Sequence, residues 1–310
     1  MQGMVVKSTG SWYWVRTEDG EYHECRMRGK FKIQDLKSTN PISVGDQVIL
    51  SKEGNDYIII DILDRKNYII RKSVNLSKQV HIIASNIDQA FLIVTLASPA
   101  TSVGFIDRFL VTAEAYQIPT TLVFNKVDLY DEFDRDYHDE IVEMYTEAGY
   151  ECLEVSAINK MNIDVLIDKM KEQITLLSGH SGVGKSTLVN TIDPDLDLLT
   201  QEVSDAHQKG MHTTTFAEMF ELDFGGFIID TPGIKGFGLV EMEETELADY
   251  FPEMRALKGL CKFHNCKHVN EPKCAVKDAV ESEIIHPVRY DSYLAILEDD
   301  GNQYRESKYH

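Results

Sequence analysis

Positive charge is in short supply. The 310 residues carry 31 Lys and Arg against 51 Asp and Glu, a formal net charge of -20. That balance excludes a general nucleic-acid binder, whose affinity rests on neutralising phosphates. Long apolar runs are missing too. No stretch approaches the roughly 20 apolar residues of a membrane-spanning helix, and the longest candidate, Ala90 to Ala97, has the length of a buried strand. Met1-Gln2-Gly3-Met4 is followed by no apolar run of signal-peptide type. Cysteines number five. With no secretion signal, they point to a reducing, cytoplasmic location and away from a disulfide framework. Internal repeats and low-complexity segments are absent. What is there, 43% hydrophobic and 26% charged residues, has the balance of soluble globular protein, and the length allows two or three domains.

The charge is unevenly spread. Residues 1–72 hold 12 basic and 10 acidic residues, 73–238 hold 10 and 26, and 239–310 hold 9 and 15. Any RNA contact must therefore use local basic patches. Two exist: Arg26, Arg28, Lys30, Lys32 and Lys37 near the start, and Lys258, Lys262, Lys267, Lys273 and Lys277 near the end. A solvated face is the simpler reading of each patch taken alone.

Hydrophobic patterning divides the chain into three units. Residues 1–66 read as short strands: Ser11 to Thr17, a Glu18-Asp19-Gly20 turn, Gln47 to Leu50 and Tyr57 to Ile62. A small closed barrel of the OB-like kind is expected. Residues 67–238 alternate strands with helices, which predicts a mostly parallel sheet covered on both faces. The strands are Ala90 to Leu96, Thr120 to Phe124, Cys152 to Val155 and Thr175 to Leu177. The helices are Ile106 to Tyr116, Glu140 to Glu147, Val165 to Met170 and one starting at Thr187. In residues 239–310, helical spacing returns at Leu247, Tyr250, Phe251, Met254 and Leu257, then a cysteine-rich loop and a final helix over Tyr290 to Leu297. The fold class expected is a multidomain α/β chain: an OB-like barrel, a domain with a mostly parallel sheet, and a helical tail with a cysteine-rich loop.

Three motifs carry chemistry. Gly179-His180-Ser181-Gly182-Val183-Gly184-Lys185-Ser186, followed by Thr187, is a complete P-loop after a strand and before a helix. Its glycines let backbone N–H groups face phosphate oxygens, and the helix adds its positive dipole end. Lys185 would neutralise the β- and γ-phosphates, and Ser186 would ligate Mg²⁺. Asn125-Lys126-Val127-Asp128 ends another strand. The Asp128 carboxylate can accept N–H bonds from guanine N1 and N2, whereas adenine would leave it unpaired. Asn125 can donate to N7, and a backbone N–H at Ser156-Ala157 can reach O6. Asp230-Thr231-Pro232-Gly233 follows an apolar strand. There Asp230 would hold Mg²⁺ through water and the Gly233 N–H would sense the γ-phosphate. Between P-loop and Asp230, Thr213 and Thr214 are both candidate switch threonines for Mg²⁺. Position 234 is isoleucine, where Ras-like GTPases carry a water-orienting glutamine. Slow intrinsic hydrolysis, completed by a partner, is expected; His212 is a possible substitute for positioning water.

The order of these motifs is unusual. The guanine reader precedes the P-loop, whereas an ordinary GTPase has them the other way round. A circularly permuted GTPase domain follows, with its nucleotide sensors at its end. Movement of residues 230–238 on loss of the γ-phosphate would then pass directly to the segment beyond. That segment carries Cys261, Cys266, His268 and Cys274 in a Cys-x4-Cys-x-His-x5-Cys pattern. Three thiolates and an imidazole fit a closed, structural zinc site. His264 competes as a ligand by composition, and a disulfide or free thiols are the alternatives. Cys25 and Cys152 read as buried small apolar residues.

Taken together these residues resemble the ribosome small-subunit-dependent (RsgA-like) GTPase family. The features that carry the resemblance are the motif order, Gly179 to Ser186, the His212 to Thr215 run, the isoleucine after Gly233 and the cysteine spacing. The resemblance implies that Asn125, Lys126, Val127 and Asp128 bind guanine, that residues 179–187 bind phosphates, and that the four-ligand cluster binds zinc. It implies GTP hydrolysis to GDP on the small (30S) ribosomal subunit during its late maturation, with the barrel on 16S rRNA. A monomer without membrane contact is expected. Two other readings remain: a nucleotide-regulated rRNA-binding module with incidental hydrolysis, and a P-loop ATPase in which Asn125 to Asp128 is coincidence.

Overall fold

The structure, a computed structural model, describes residues 1–28, 41–54, 56–72, 80–196, 217–230 and 245–298. Its first unit is a closed five-stranded barrel of β1 (Gln2–Ser8), β2 (Tyr13–Thr17), β3 (Tyr22–Met27), β4 (Gln47–Glu53) and β5 (Asp56–Ile62). The pairing runs β1-β2-β3-β5-β4 and returns to β1. Alternating positions fill the interior with Val5, Tyr13, Val15, Cys25, Val48, Leu50 and Ile59. Cys25 is fully buried, as the sequence suggests, and burial pushes its thiol up to about 12. Strands β1 and β3 were not expected from the sequence. Nor was the hairpin of β6 (Tyr68–Lys72) and β7 (Val80–Ser85), which leads out of the barrel.

The second unit is doubly wound. Its strands are β8 (Gln89–Val94), β9 (Thr120–Phe124), β10 (Glu151–Glu154), β11 (Ile174–Ser178), β12 (Glu218–Glu221) and β13 (Phe227–Asp230). They lie in the order β10-β9-β8-β11-β13-β12, and all but β12 are parallel to their neighbours. One face packs Leu92, Leu122 and Phe124 on α1 (Val103–Ala115) and α2 (Glu132–Glu147). The other packs Phe91, Val123 and Leu177 on α3 (Ile163–Met170) and α4 (Lys185–Ile192). Near-continuous apolar strands such as Phe91-Leu92-Ile93-Val94 are what burial on both faces requires. Helix α2 starts eight residues before the expected Glu140. Its start signal is a capping box: Asp131 accepts from the Asp134 N–H at 2.9 Å while Asp134 accepts from the Asp131 N–H.

Barrel and nucleotide-binding sheet are continuous. Strand β1 pairs with β12 at Lys7 and Glu218, whose side chains also meet at 2.6 Å. Arg16 of β2 holds Glu221 of β12 through two bonds of 2.7 and 2.6 Å, and Tyr22 donates to the same carboxylate. This fork geometry makes the pair directional and keeps Glu221 below the usual carboxylate range.

The third unit is helical. The spacing from Leu247 to Leu257 predicts one helix, but the chain forms a 3-10 turn (Leu247–Tyr250) and then α5 (Pro252–Arg255). Pro252 is the reason: it lacks an N–H, sits at the first helical position, and leaves Phe251 extended. Helices α6 (Ala275–Glu281) and α7 (Pro287–Glu298) follow. Among the described residues no helix is long and apolar enough to cross a membrane.

A buried cation fastens this unit to the second. Arg289 of α7 is 1% exposed and reaches Asp107 of α1 at 2.5 Å and Glu253 of α5 at 2.7 Å. Tyr145 of α2 donates to the same Asp107 at 2.8 Å, and the guanidinium lies 4.7 Å from the Phe251 ring centre. Removing one partner of such a pair leaves an uncompensated buried charge. Arg289→Ala is expected to cost about 3–5 kcal/mol, read as a lowered urea midpoint. A loss below about 1 kcal/mol, the range of exposed ion pairs, would show that the network contributes little.

Candidate functional site

Parallel strands place their carboxyl ends on one edge, and four motifs begin there. Phe124 of β9 runs into Asn125, Glu154 of β10 is followed within two residues by Ser156, Ser178 of β11 runs into Gly179, and β13 ends at Asp230. Register brings them level: Phe124 lies beside Val94 and Glu154, and Leu177 lies beside Asp230.

Asn125 joins three of these loops. Its side chain is 1% exposed; the amide donates to the Val183 carbonyl of the P-loop at 2.9 Å, and its oxygen faces the Ala157 N–H at 3.4 Å. Lys126, held in the left-handed conformation at φ 63°, reaches over to the Gly182 carbonyl at 2.7 Å and the Ser98 carbonyl at 2.8 Å. Val127 is buried, and its N–H contacts the Val155 carbonyl. Asp128 follows in a 3-10 turn (Val127–Leu129) with its carboxylate exposed. The reader thus stands on a buried amide and presents an open carboxylate beside the P-loop.

The P-loop glycines are dictated by geometry. Gly184 has φ 92°, and a Cβ there would sit 2.5 Å from the Asn125 amide nitrogen. Gly179 has φ 143°, and a Cβ there would strike the Ile93 carbonyl. The Lys185 ammonium donates to the Gly179 and His180 carbonyls, each at 2.7 Å, which holds it over the loop. Ser186, half-buried, and Thr187, exposed, occupy the first turn of α4; Ser181 and Gly182 are exposed, while Val183 is buried as the anchor. The His180 ring rests on Phe105, centroids 3.8 Å apart, and burial followed by the Lys185 charge pushes its pKa down. Phe105 and Ser98 were not among the sequence candidates; no motif marks them, and only the fold brings them here.

Ser156 is buried, and its hydroxyl accepts the Asn159 N–H at 3.1 Å, so it shapes its own turn. Of the third motif only the backbone of Asp230 is described. Thr213, Thr214, His212, Gly233 and Ile234 lie outside the described residues.

A second cluster lies in the third unit. One ligand atom from each of Cys261, Cys266, His268 and Cys274 falls within 4.8 Å of the others, a donor set able to hold a metal. His268 Nδ1 stands 3.3 Å from the Cys274 sulfur and 3.6 Å from the Cys261 sulfur. His264 is exposed and is not part of the group. Surrounding bonds hold the loop: Glu271 accepts the Lys267, Val269 and Asn270 N–H groups, and the Tyr290 and Tyr293 hydroxyls donate to the His268 and Lys267 carbonyls at 2.6 Å each. Neither the glutamate nor the tyrosines belonged to any recognisable spacing.

A P-loop and a base reader at the carboxyl edge of a doubly wound sheet define a guanine-nucleotide-binding protein of the P-loop class, with its motifs in permuted order. Residues 62–240 match the RsgA GTPase family, and residues 2–60 match the RsgA N-terminal domain. A relative from Christiangramia forsetii, named small ribosomal subunit biogenesis GTPase RsgA, is 57% identical over 100% of this chain and 99% of its own. One of the same name from Phocaeicola vulgatus is 55% identical over 98% and 99%. Among solved structures, YjeQ from Thermotoga maritima superposes with a TM-score of 0.79 at 36% identity, covering 96% of this chain and 97% of that one. YloQ, described as a circularly permuted GTPase, gives 0.76 at 29% identity, covering 98% and 96%. This chain belongs to the RsgA GTPase family, and it is a GTP hydrolase.

Gly184→Ala tests the join between reader and P-loop. Its Cβ would displace the Asn125 amide and strain the φ 92° backbone, so GDP affinity, measured with a fluorescent analogue, should fall about tenfold or more, equivalent to about 1.4 kcal/mol. Unchanged affinity would mean that the Asn125 contact does not organise the pocket.

Proposed function

We propose that the protein binds the small (30S) ribosomal subunit and hydrolyses GTP to GDP and phosphate there during late maturation, slowly alone and faster on the subunit. The observation that carries this is the buried Asn125 amide, which joins a guanine reader to a phosphate loop. Its relatives' names supply the ribosomal partner. Asp128 reads guanine N1 and N2, and the second Asn125 amide hydrogen serves N7. Backbone N–H groups of residues 179–187 take the phosphates, and Lys185 swings from its carbonyl partners to the β- and γ-phosphates. Ser186 and Asp230, with Thr213 or Thr214, would hold Mg²⁺, which neutralises phosphate charge when bound. The Gly233 N–H senses the γ-phosphate. Ile234 offers no hydrogen bond to the attacking water, so the subunit completes the site.

The chain then works as three units, 1–66, 67–238 and 239–310, as a cytoplasmic monomer. Its barrel contacts 16S rRNA, although the unit has little net charge. Described side chains supply what such a surface uses: Arg26 lies 3.8 Å from the Trp12 ring centre, His23 stacks on Tyr57 at 4.1 Å, and Lys52 lies over Tyr57. Cys261, Cys266, His268 and Cys274 hold one structural zinc; three soft sulfurs and a ring nitrogen, with no place left open, suit zinc and no hydrolytic role.

GTP turnover with and without purified small subunits is the deciding experiment. A several-fold or greater stimulation is expected, and equal rates would leave only a nucleotide-regulated RNA-binding module. Asp128→Asn should shift preference from guanine to xanthine, which carries a carbonyl at position 2; retained guanine preference would remove Asp128 from the site. For the cysteine cluster, metal analysis of freshly purified protein should find about one zinc per chain, and less than about half an equivalent would refute it.

A further inference from the structure

Among the described residues thirteen large hydrophobics stand exposed, and five of them fall in two adjacent segments beside Asn125 to Asp128. Leu129, Phe133 and Tyr137 are 56%, 80% and 41% exposed, and Ile158 and Met161 are 75% and 41% exposed. The two segments are tied by the Val127–Val155 and Asn125–Ala157 contacts. Phe133 and Tyr137 are one helical turn apart on α2, so they form a single ridge. Further along α2 the packing is done by His138, Ile141, Met144 and Tyr145. A phenylalanine left 80% in water gives the fold nothing. A cluster of such residues marks a contact surface, whereas single ones scattered over a protein do not.

The charge around the ridge says what fits it. Residues 128–147 contain nine carboxylates and one guanidinium. That guanidinium, Arg135, is turned to Glu154 and the Val127 carbonyl. Asp136 and Glu140 follow Phe133 and Tyr137 at three-residue spacing and flank the same ridge, and both are exposed. A phosphate backbone would be repelled here. A lysine- and arginine-rich polypeptide segment with an apolar side chain meets both features: the apolar group covers the aromatic ridge and the cations meet the carboxylates. We infer that the Phe133–Tyr137 ridge of α2 docks a basic protein segment, and not RNA, next to the nucleotide pocket. This rests on the small subunit being the partner. Because Asp128 opens the turn that leads into α2, the docked segment abuts the base-reading loop.

The test uses the full chain with p-benzoylphenylalanine replacing Phe133, and separately Trp12 on the barrel, each irradiated with purified small subunits. The Phe133 adduct should survive ribonuclease and be lost to protease, with one basic protein attached. Adding Asp136→Lys and Glu140→Lys should cut its yield about tenfold by reversing the flanking charge, while the Trp12 adduct stays unchanged. An RNA adduct at Phe133, or none there while Trp12 still crosslinks, overturns the inference. If neither position crosslinks, the small-subunit reading fails first and the docking surface falls with it.

Discussion

One buried amide holds together three loops at the carboxyl edge of the sheet. Asn125 bonds the Val183 carbonyl of the P-loop and faces the Ala157 N–H, so base reader, P-loop and the turn after β10 share one polar group with almost no exposure. A buried amide left unpaired is costly, which fixes the relative position of all three loops. Gly184 is the counterpart of that bond. Only a residue without a side chain lets the P-loop come close enough.

This join matters because the two loops are distant in the chain. In the present order the reader and the P-loop are separated by α2, β10, α3 and β11, and the sheet returns β11 to the far side of β8 from β9. Side-chain bonds therefore bring together what the chain delivers separately. Lys126 does the same to Gly182 and Ser98. Strand β12 ends the six strands of this unit, and the barrel covers that edge through β1. The Arg16–Glu221 fork makes that contact specific. On the other side, Arg289 fixes the helical unit to α1, with Tyr145 of α2 bonded to the same Asp107. Both flanking units are thus fastened to the middle one by a charged pair, a two-bond fork at Arg16–Glu221 and one buried contact at Arg289–Asp107. The route expected through residues 230–238 lies largely outside the described residues; the described contacts run through β12 and through Arg289.

The family and its motifs were legible without coordinates because the motifs are local. A P-loop needs glycine, lysine and serine at fixed offsets, and a guanine reader needs a carboxylate three residues after its asparagine. Four soft ligands within fourteen residues have few other uses. The alternation of strand and helix from Gln89 to Ile192 was likewise readable, since apolar strands and amphipathic helices have different periods. Elements without such a period were not: β12 has only four residues, β1 buries Gly3 to Val6 in succession instead of alternately, and β6 and β7 pair with each other. The break at Pro252 was visible in principle, but the apolar spacing around it suggested a continuous helix.

The sequence by itself determined the strand-helix alternation, the permuted motif order and the set of side chains offered as ligands, because each is written in neighbouring residues. Only the tertiary structure decided that the Asn125 amide is anchored on Val183, that the barrel extends the sheet at β12, and that Arg289 is buried between two carboxylates. Those pairs lie 58, 211, 182 and 36 residues apart in sequence. Nothing in local propensity or spacing encodes them; they exist because burying a polar or charged group requires a partner, and the fold alone decides which one is within reach.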